Sequence, residues 1–221
     1  MNRLVRRIAA AGTVSLVAAA VTLVGQAPAG AYMTFQQLCG GGKFSSASQG
    51  VYIAAATVPT AWTSAIDSSR QQWNGISGSG FSYSAPVRVT GPLPPAGGHG
   101  TAVRYYNIQA NDGIPANTPA WTSNLDPLSV NHGIAYVNLS NQWSWNTTGT
   151  LNQASRVADV RTVVTHEMGH ANGLAHPWQG NCSGSANRSM TDAEKASVMN
   201  VTWVKKWTTN SDDKAAMAFL Y

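Results

Sequence analysis

Residues 166–176 read His-Glu-Met-Gly-His-Ala-Asn-Gly-Leu-Ala-His, and this run constrains the fold more than anything else in the chain. His166 and His170 stand four apart, so they share a face about one turn apart if the segment is helical. Gly173 predicts an exit from that helix through a conformation other residues resist. The exit would bring His176 back toward the pair. Three imidazoles around one point suit a tetrahedral Zn2+ with its fourth position open, the arrangement of catalytic rather than structural zinc. Glu167, between the first two, can reach a water at the open position and act as general base. With five His and two Glu in 221 residues, a chance constellation of this kind is remote, although His-Glu-x-x-His alone is a weaker signal.

The rest of the chain reads as an α+β scaffold for that helix. Gly50–Ala56 has the character of a strand, and a helical pattern follows Pro59, with Trp62, Ile66, Trp73 and Ile76 spaced for one buried face. Phe81–Val89 and Thr101–Gln109 alternate as strands do, separated by the Pro/Gly loop around Pro92–Gly100. Gly133–Leu139 is the best strand candidate. The histidine-bearing helix is predicted to start between Thr150 and Ser155. Val157, Val160, Val164, Met168 and Ala171, at spacings of three and four, would pack it on the sheet and hold the histidines rigid.

The extended pattern resembles that of the metzincin zinc endopeptidases, His-Glu-x-x-His-x-x-Gly-x-x-His, at every fixed position. That resemblance implies a metzincin-like single domain over 32–221: a twisted mixed sheet packed on the zinc helix, a methionine-containing turn beneath the metal, and a C-terminal helix. Ser197-Val198-Met199-Asn200 looks like that turn, with Met199 preferred over Met190, and the tail from Asn210 looks like the closing helix of the matrixin branch. Snapalysin-like peptidases carry Asp as third ligand where this chain has His176, which favours the matrixin-like reading. A propeptide cysteine able to block the zinc is not seen, and the span from His176 to Met199 is longer than in a compact matrixin. By resemblance, Gly133–Leu139 would be the edge strand that pairs with extended substrate. The implied activity is zinc-dependent hydrolysis of peptide bonds, with Zn2+ on His166, His170 and His176 and Glu167 as catalytic base. The partner is a protein or peptide substrate. The alternatives are a zinc hydrolase of cell-wall amide or small peptides, and a secreted binding module that keeps zinc without turnover; the intact Glu167 speaks against the latter.

Arg3, Arg6 and Arg7 precede an apolar run from Ile8 to Val24, and Ala27–Ala31 offers cleavage sites after Ala29 or Ala31. Residues 1–31 thus read as a secretory signal of bacterial style rather than an anchor, because the run is short and diluted by Thr and Ser. Its removal takes three of fourteen basic residues and none of the nine acidic ones, lowering the formal charge from +5 to +2. No basic cluster beyond Lys205-Lys206 remains, so neither nucleic acid nor a membrane surface is indicated as partner. The mature length fits one hydrophobic core, and a monomer is expected. Outside the cell, Cys39 and Cys182 are expected to form one disulfide between the N-terminal segment and the loop after the zinc helix. His99 and His132 read as loop histidines, without recognisable surrounding ligands for a further structural Ca2+ or Zn2+. Asn111-Asp112-Gly113 is a turn signal before it is a calcium site, and Trp143 and Trp145 read as core packing.

Overall fold

The computed structural model describes residues 32–107, 114–115, 117–123, 125, 131–184 and 186–221. The signal segment 1–31 and the Asn111–Gly113 turn lie outside the described residues. The chain opens with a short helix α1 (Phe35–Cys39), capped by Thr34 and closed by Gly40 in the left-handed region. Strands β1 (Lys43–Phe44) and β2 (Ser48–Ala54) follow, then a 3-10 turn (Thr60–Trp62) running into helix α2 (Thr63–Gln71). Next come β3 (Ser82–Tyr83), β4 (Val87–Val89), β5 (Gly100–Tyr106), β6 (Ala120–Ser123), β7 (Asn131–His132) and β8 (Ile134–Ser140). The remaining elements are β9 (Ser144–Asn146), β10 (Val157–Asp159), α3 (Val160–Ala171), α4 (Asp192–Ala196) and α5 (Ser211–Leu220).

Six strands form a mixed sheet in the order β3-β2-β5-β8-β6, with β4 also on β2. Every pairing is parallel except β6 with β8. Two-stranded parallel ladders, β1 with β7 and β9 with β10, stand apart. This mixed α/β architecture fits a metzincin-like fold.

Val51, Ile53, Val103, Val137 and Leu139 from the central strands are buried against Ile66, Val164 and Met168 of the helices and Trp73 beyond α2. Polar ties join α2 to α3: Ser69 Oγ donates to the Arg161 carbonyl at 3.0 Å, and Trp73 Nε1 to that of Thr165 at 3.2 Å. Buried this way on almost every side, α3 leaves only Arg161 and His166 partly exposed.

Four expectations change. The stretch Phe81–Val89 is two short strands, because Pro86 between them has no N–H for the ladder. Helix α3 begins at Val160 rather than at 150–155. Val157–Asp159 is taken up by pairing with β9, and the Asp159 carboxylate captures the Thr162 amide at 2.7 Å, which sets the first turn. Strand β8 is no edge: β5 and β6 flank it, and the edge on the α3 side is β6. Helix α2 ends at Gln71, so Trp73 and Ile76, expected on its buried face, are buried beyond its end. The core packing expected of the two tryptophans holds: Trp143 is buried and stacks on Trp203, and Trp145 packs on Trp62.

Candidate metal centre

Helix α3 places His166 and His170 on one side, and Gly173 ends the run. Its φ of 101° is a left-handed conformation, and a Cβ there would stand 2.6 Å from the Gly42 carbonyl oxygen, so both backbone and packing require glycine. The N-terminal segment braces this turn: Phe35 N donates to the Gly173 carbonyl at 2.8 Å, and Ala175 N to that of Met33 at 3.0 Å. The chain then delivers His176, whose ring stacks on Trp178 with centroids 5.1 Å apart.

The ligand atoms of His166, His170 and His176 lie within 4.8 Å of one another. His176 Nε2 is 3.2 Å from His170 Nε2 and 3.3 Å from His166 Nε2. A tetrahedron with zinc–nitrogen bonds of about 2.0–2.1 Å has edges of about 3.3 Å, so these separations fit a shared zinc ion. The opposite ring atoms support the same reading. His166 Nδ1 is 2.8 Å from the Val198 carbonyl and His170 Nδ1 is 2.8 Å from the Leu174 carbonyl. A carbonyl only accepts, so each Nδ1 carries the hydrogen and each Nε2 presents a lone pair to the common point. Converging lone pairs repel unless a cation lies between them. Burial, then the neighbouring His166, pushes His170 down to about 3, and burial with His170 and His166 holds His176 well below its ordinary value. Neutral imidazole is the form that ligates.

Glu167 is buried at 5 % exposure, which raises its carboxyl pKa, against the lowering effects of His166 and of hydrogen bonds from Thr122. Thr122 Oγ1 stands 2.7 Å from Glu167 Oε2 and 2.9 Å from the Glu167 carbonyl oxygen. No local signal marked Thr122, since the two residues are 45 apart in sequence and meet only when β6 lies along α3. A cleft of about 530 Å³ runs past these groups, lined by His166, Glu167, His176, Trp121 and Thr122 among others.

Beneath the histidines lies the Ser197–Asn200 turn. The Met199 sulfur packs so closely on Gly169 that a Cβ there would lie 2.2 Å from it. Met199 is buried, whereas Met190 is partly exposed and lies away from this contact. Asp213 of α5 holds the turn, accepting from Ser197 Oγ at 2.5 Å and from Val198 N at 3.2 Å. Since the Val198 carbonyl partners His166, α5 reaches the candidate ligands through two hydrogen bonds. Cys39 is joined to Cys182. His99 lies with its ring against Gly133, apart from the histidine cluster. The side chain of His132 is outside the described residues.

The profile of the metallo-peptidase family M12B, reprolysin-like, matches residues 107–215, just under half of the chain. The matched span contains β6, β8, all of α3, the three histidines and the Ser197–Asn200 turn. Over that span the chain is similar to a zinc-dependent metallopeptidase family, and the match supports a metzincin-type zinc peptidase. No curated protein matched the sequence in a direct comparison.

Proposed function

We propose that the chain is a secreted zinc-dependent endopeptidase, with His166, His170 and His176 as metal ligands and Glu167 as general base. The observation that carries this reading is the convergence of three imidazole nitrogens beside a buried carboxylate, in a cleft walled by an open strand edge. Zinc held there supplies a Lewis acid that acidifies water and polarises a carbonyl. Glu167 accepts the proton of the attacking water at its carboxylate and returns it to the leaving amine nitrogen.

Strand β6 orients the substrate. Pro119 O accepts from Ser140 N, and pairing continues in antiparallel register from Ala120 with Leu139 to Ser123 with Tyr136. Alternation along such a ladder turns the main-chain groups of Ala120 and Thr122 outward, toward the cleft. An extended peptide paired there lies alongside Glu167. Met199 forms the floor of the site, as in the metzincin methionine turn. The short span from that turn to α5 supports the matrixin-like branch as the finer reading.

Secretion rests on the signal-like segment 1–31, with 32–221 as the mature peptidase, and on the Cys39–Cys182 disulfide, a bond that persists in oxidising compartments. Among the described residues, no helix is long and apolar enough to cross a membrane.

The test is hydrolysis of a quenched, unfolded protein by residues 32–221, with and without a zinc chelator, beside Glu167→Ala. Chelator-sensitive cleavage is expected, and the variant should keep stoichiometric zinc while losing at least about a hundredfold in kcat. A folded, zinc-loaded Glu167→Ala protein with undiminished proteolysis would remove Glu167 from its role. Digestion of peptidoglycan but not of protein would move the assignment to a cell-wall amide hydrolase.

A further inference from the structure

The Thr122 hydroxyl stands within hydrogen-bond reach of two acceptors on one residue, the carboxylate Oε2 of Glu167 and its main-chain carbonyl oxygen. A hydroxyl has one hydrogen and two lone pairs, so it donates to only one of them at a time. We infer that Thr122 is a positioning residue that holds the Glu167 carboxyl in one orientation beside the candidate metal ligands. This rests on the endopeptidase reading of the site. With Glu167 ionised, the Thr122 hydrogen points to Oε2. That bond leaves the other carboxyl oxygen as the one that takes the proton from water and returns it to the leaving amine.

The placement makes this economical. Thr122 sits on the edge strand whose main chain faces the cleft, and its side chain reaches α3, so one residue registers the base against the peptide it pairs with. A general base held in place avoids reorganisation during the reaction. A valine keeps the shape of threonine and removes only the hydroxyl, while a serine keeps the hydroxyl.

The experiment compares parent, Thr122→Val and Thr122→Ser in residues 32–221. Thr122→Val should lower kcat about ten- to a hundredfold, with KM and zinc stoichiometry nearly unchanged. Thr122→Ser should recover most of the loss. A readout independent of turnover comes from the composition: the chain has two glutamates, Glu167 and Glu194. In metal-free protein labelled with carbon-13 at the glutamate side-chain carboxyl, Glu167→Ala assigns the two resonances. The Glu167 signal should shift in Thr122→Val and return toward the parent position in Thr122→Ser. Glu194, buried and paired with Arg188, should stay fixed as an internal reference. Three outcomes overturn the inference: an unmoved Glu167 signal in Thr122→Val, a serine variant as impaired as the valine, or a loss confined to KM. Parent protein that binds zinc and cuts nothing overturns the endopeptidase reading, and with it any role of Thr122 in turnover. The carbon-13 comparison still decides separately whether Thr122 holds Glu167.

Discussion

His170 sits where burial and the adjacent His166 make protonation costly, while the Leu174 carbonyl engages its other nitrogen. Burial and His166 outweigh the Leu174 hydrogen bond, which alone would favour the charged ring, and the balance leaves a signature in the metal-free protein. The folded-state pKa, about 3, lies below the ordinary value of 6.5. As pH falls through that window the unfolded chain binds a proton that the folded chain refuses, so stability is present above pH 6.5 and is lost toward pH 3. Asp212 has the opposite slope, because burial and the charges of Asp213 and Glu194 push its carboxyl up to about 7. Comparing parent with His170→Gln removes that background. The parent's unfolding free energy should fall relative to the variant by up to about 1.4 kcal/mol per pH unit below pH 6. Urea titrations of both metal-free proteins at pH 7, 6, 5 and 4 measure it. A constant difference across the series would mean that His170 takes up its proton in the folded state as readily as in the unfolded one.

At the scale of elements, α3 is held by the residue that caps it as much as by its packing. Asp159 is fully buried; its Oδ1 accepts from Thr162 N, Thr162 Oγ1 and Trp207 Nε1, each at 2.7 Å, and its Oδ2 from Gly149 N at 2.9 Å. It thus caps the helix and fastens two loops to its start. Asp159→Ala strands several buried donors and should cost about 2–4 kcal/mol, more than a solvent-exposed cap. Asp159→Asn keeps one acceptor oxygen and should cost less. Denaturant midpoints give the order, and an alanine variant no weaker than the asparagine would show that water replaces the carboxylate. Such a cap is a weak signal in sequence. The buried positions Val160, Val164, Met168 and Ala171 are legible because they recur at helical spacing. Val157 extends that spacing backward into what is a strand, so the periodicity alone does not locate the helix start. The three histidines are legible as a group because a helix and one glycine turn suffice to bring them together. Strand β8 stands out in the sequence because it is rich in apolar residues, and that richness marks a strand covered on both faces and paired on both sides, an interior strand rather than an edge. The true edge, Ala-Trp-Thr-Ser, has only four residues and no alternation to reveal it, and Thr122 owes its position entirely to the antiparallel return onto β8.

In the whole molecule, long-range ties converge on the candidate site from both ends of the described chain. Residues 33–35 brace the turn that delivers His176, α5 holds the turn that carries Met199, and the Tyr221 hydroxyl donates to the Asn172 carbonyl at 3.0 Å. The Cys39–Cys182 bond, spanning 143 residues, closes the same region covalently. Its effect should fall on the unfolded chain, whose entropy it limits, and not on the geometry of the candidate ligands, which α3 and Gly173 already set. Replacing both cysteines with alanine should therefore lower unfolding free energy by about 2–4 kcal/mol. Zinc stabilises the folded state by mass action, through an affinity that the bond does not alter in this account. The decrement should accordingly be the same in zinc-saturated and metal-free protein, with one zinc per chain retained by the variant. Paired denaturation curves decide the matter. A loss larger with zinc than without would mean that the bond helps to shape the metal site itself, and the segment from Met33 to Cys39 would then count as part of that site.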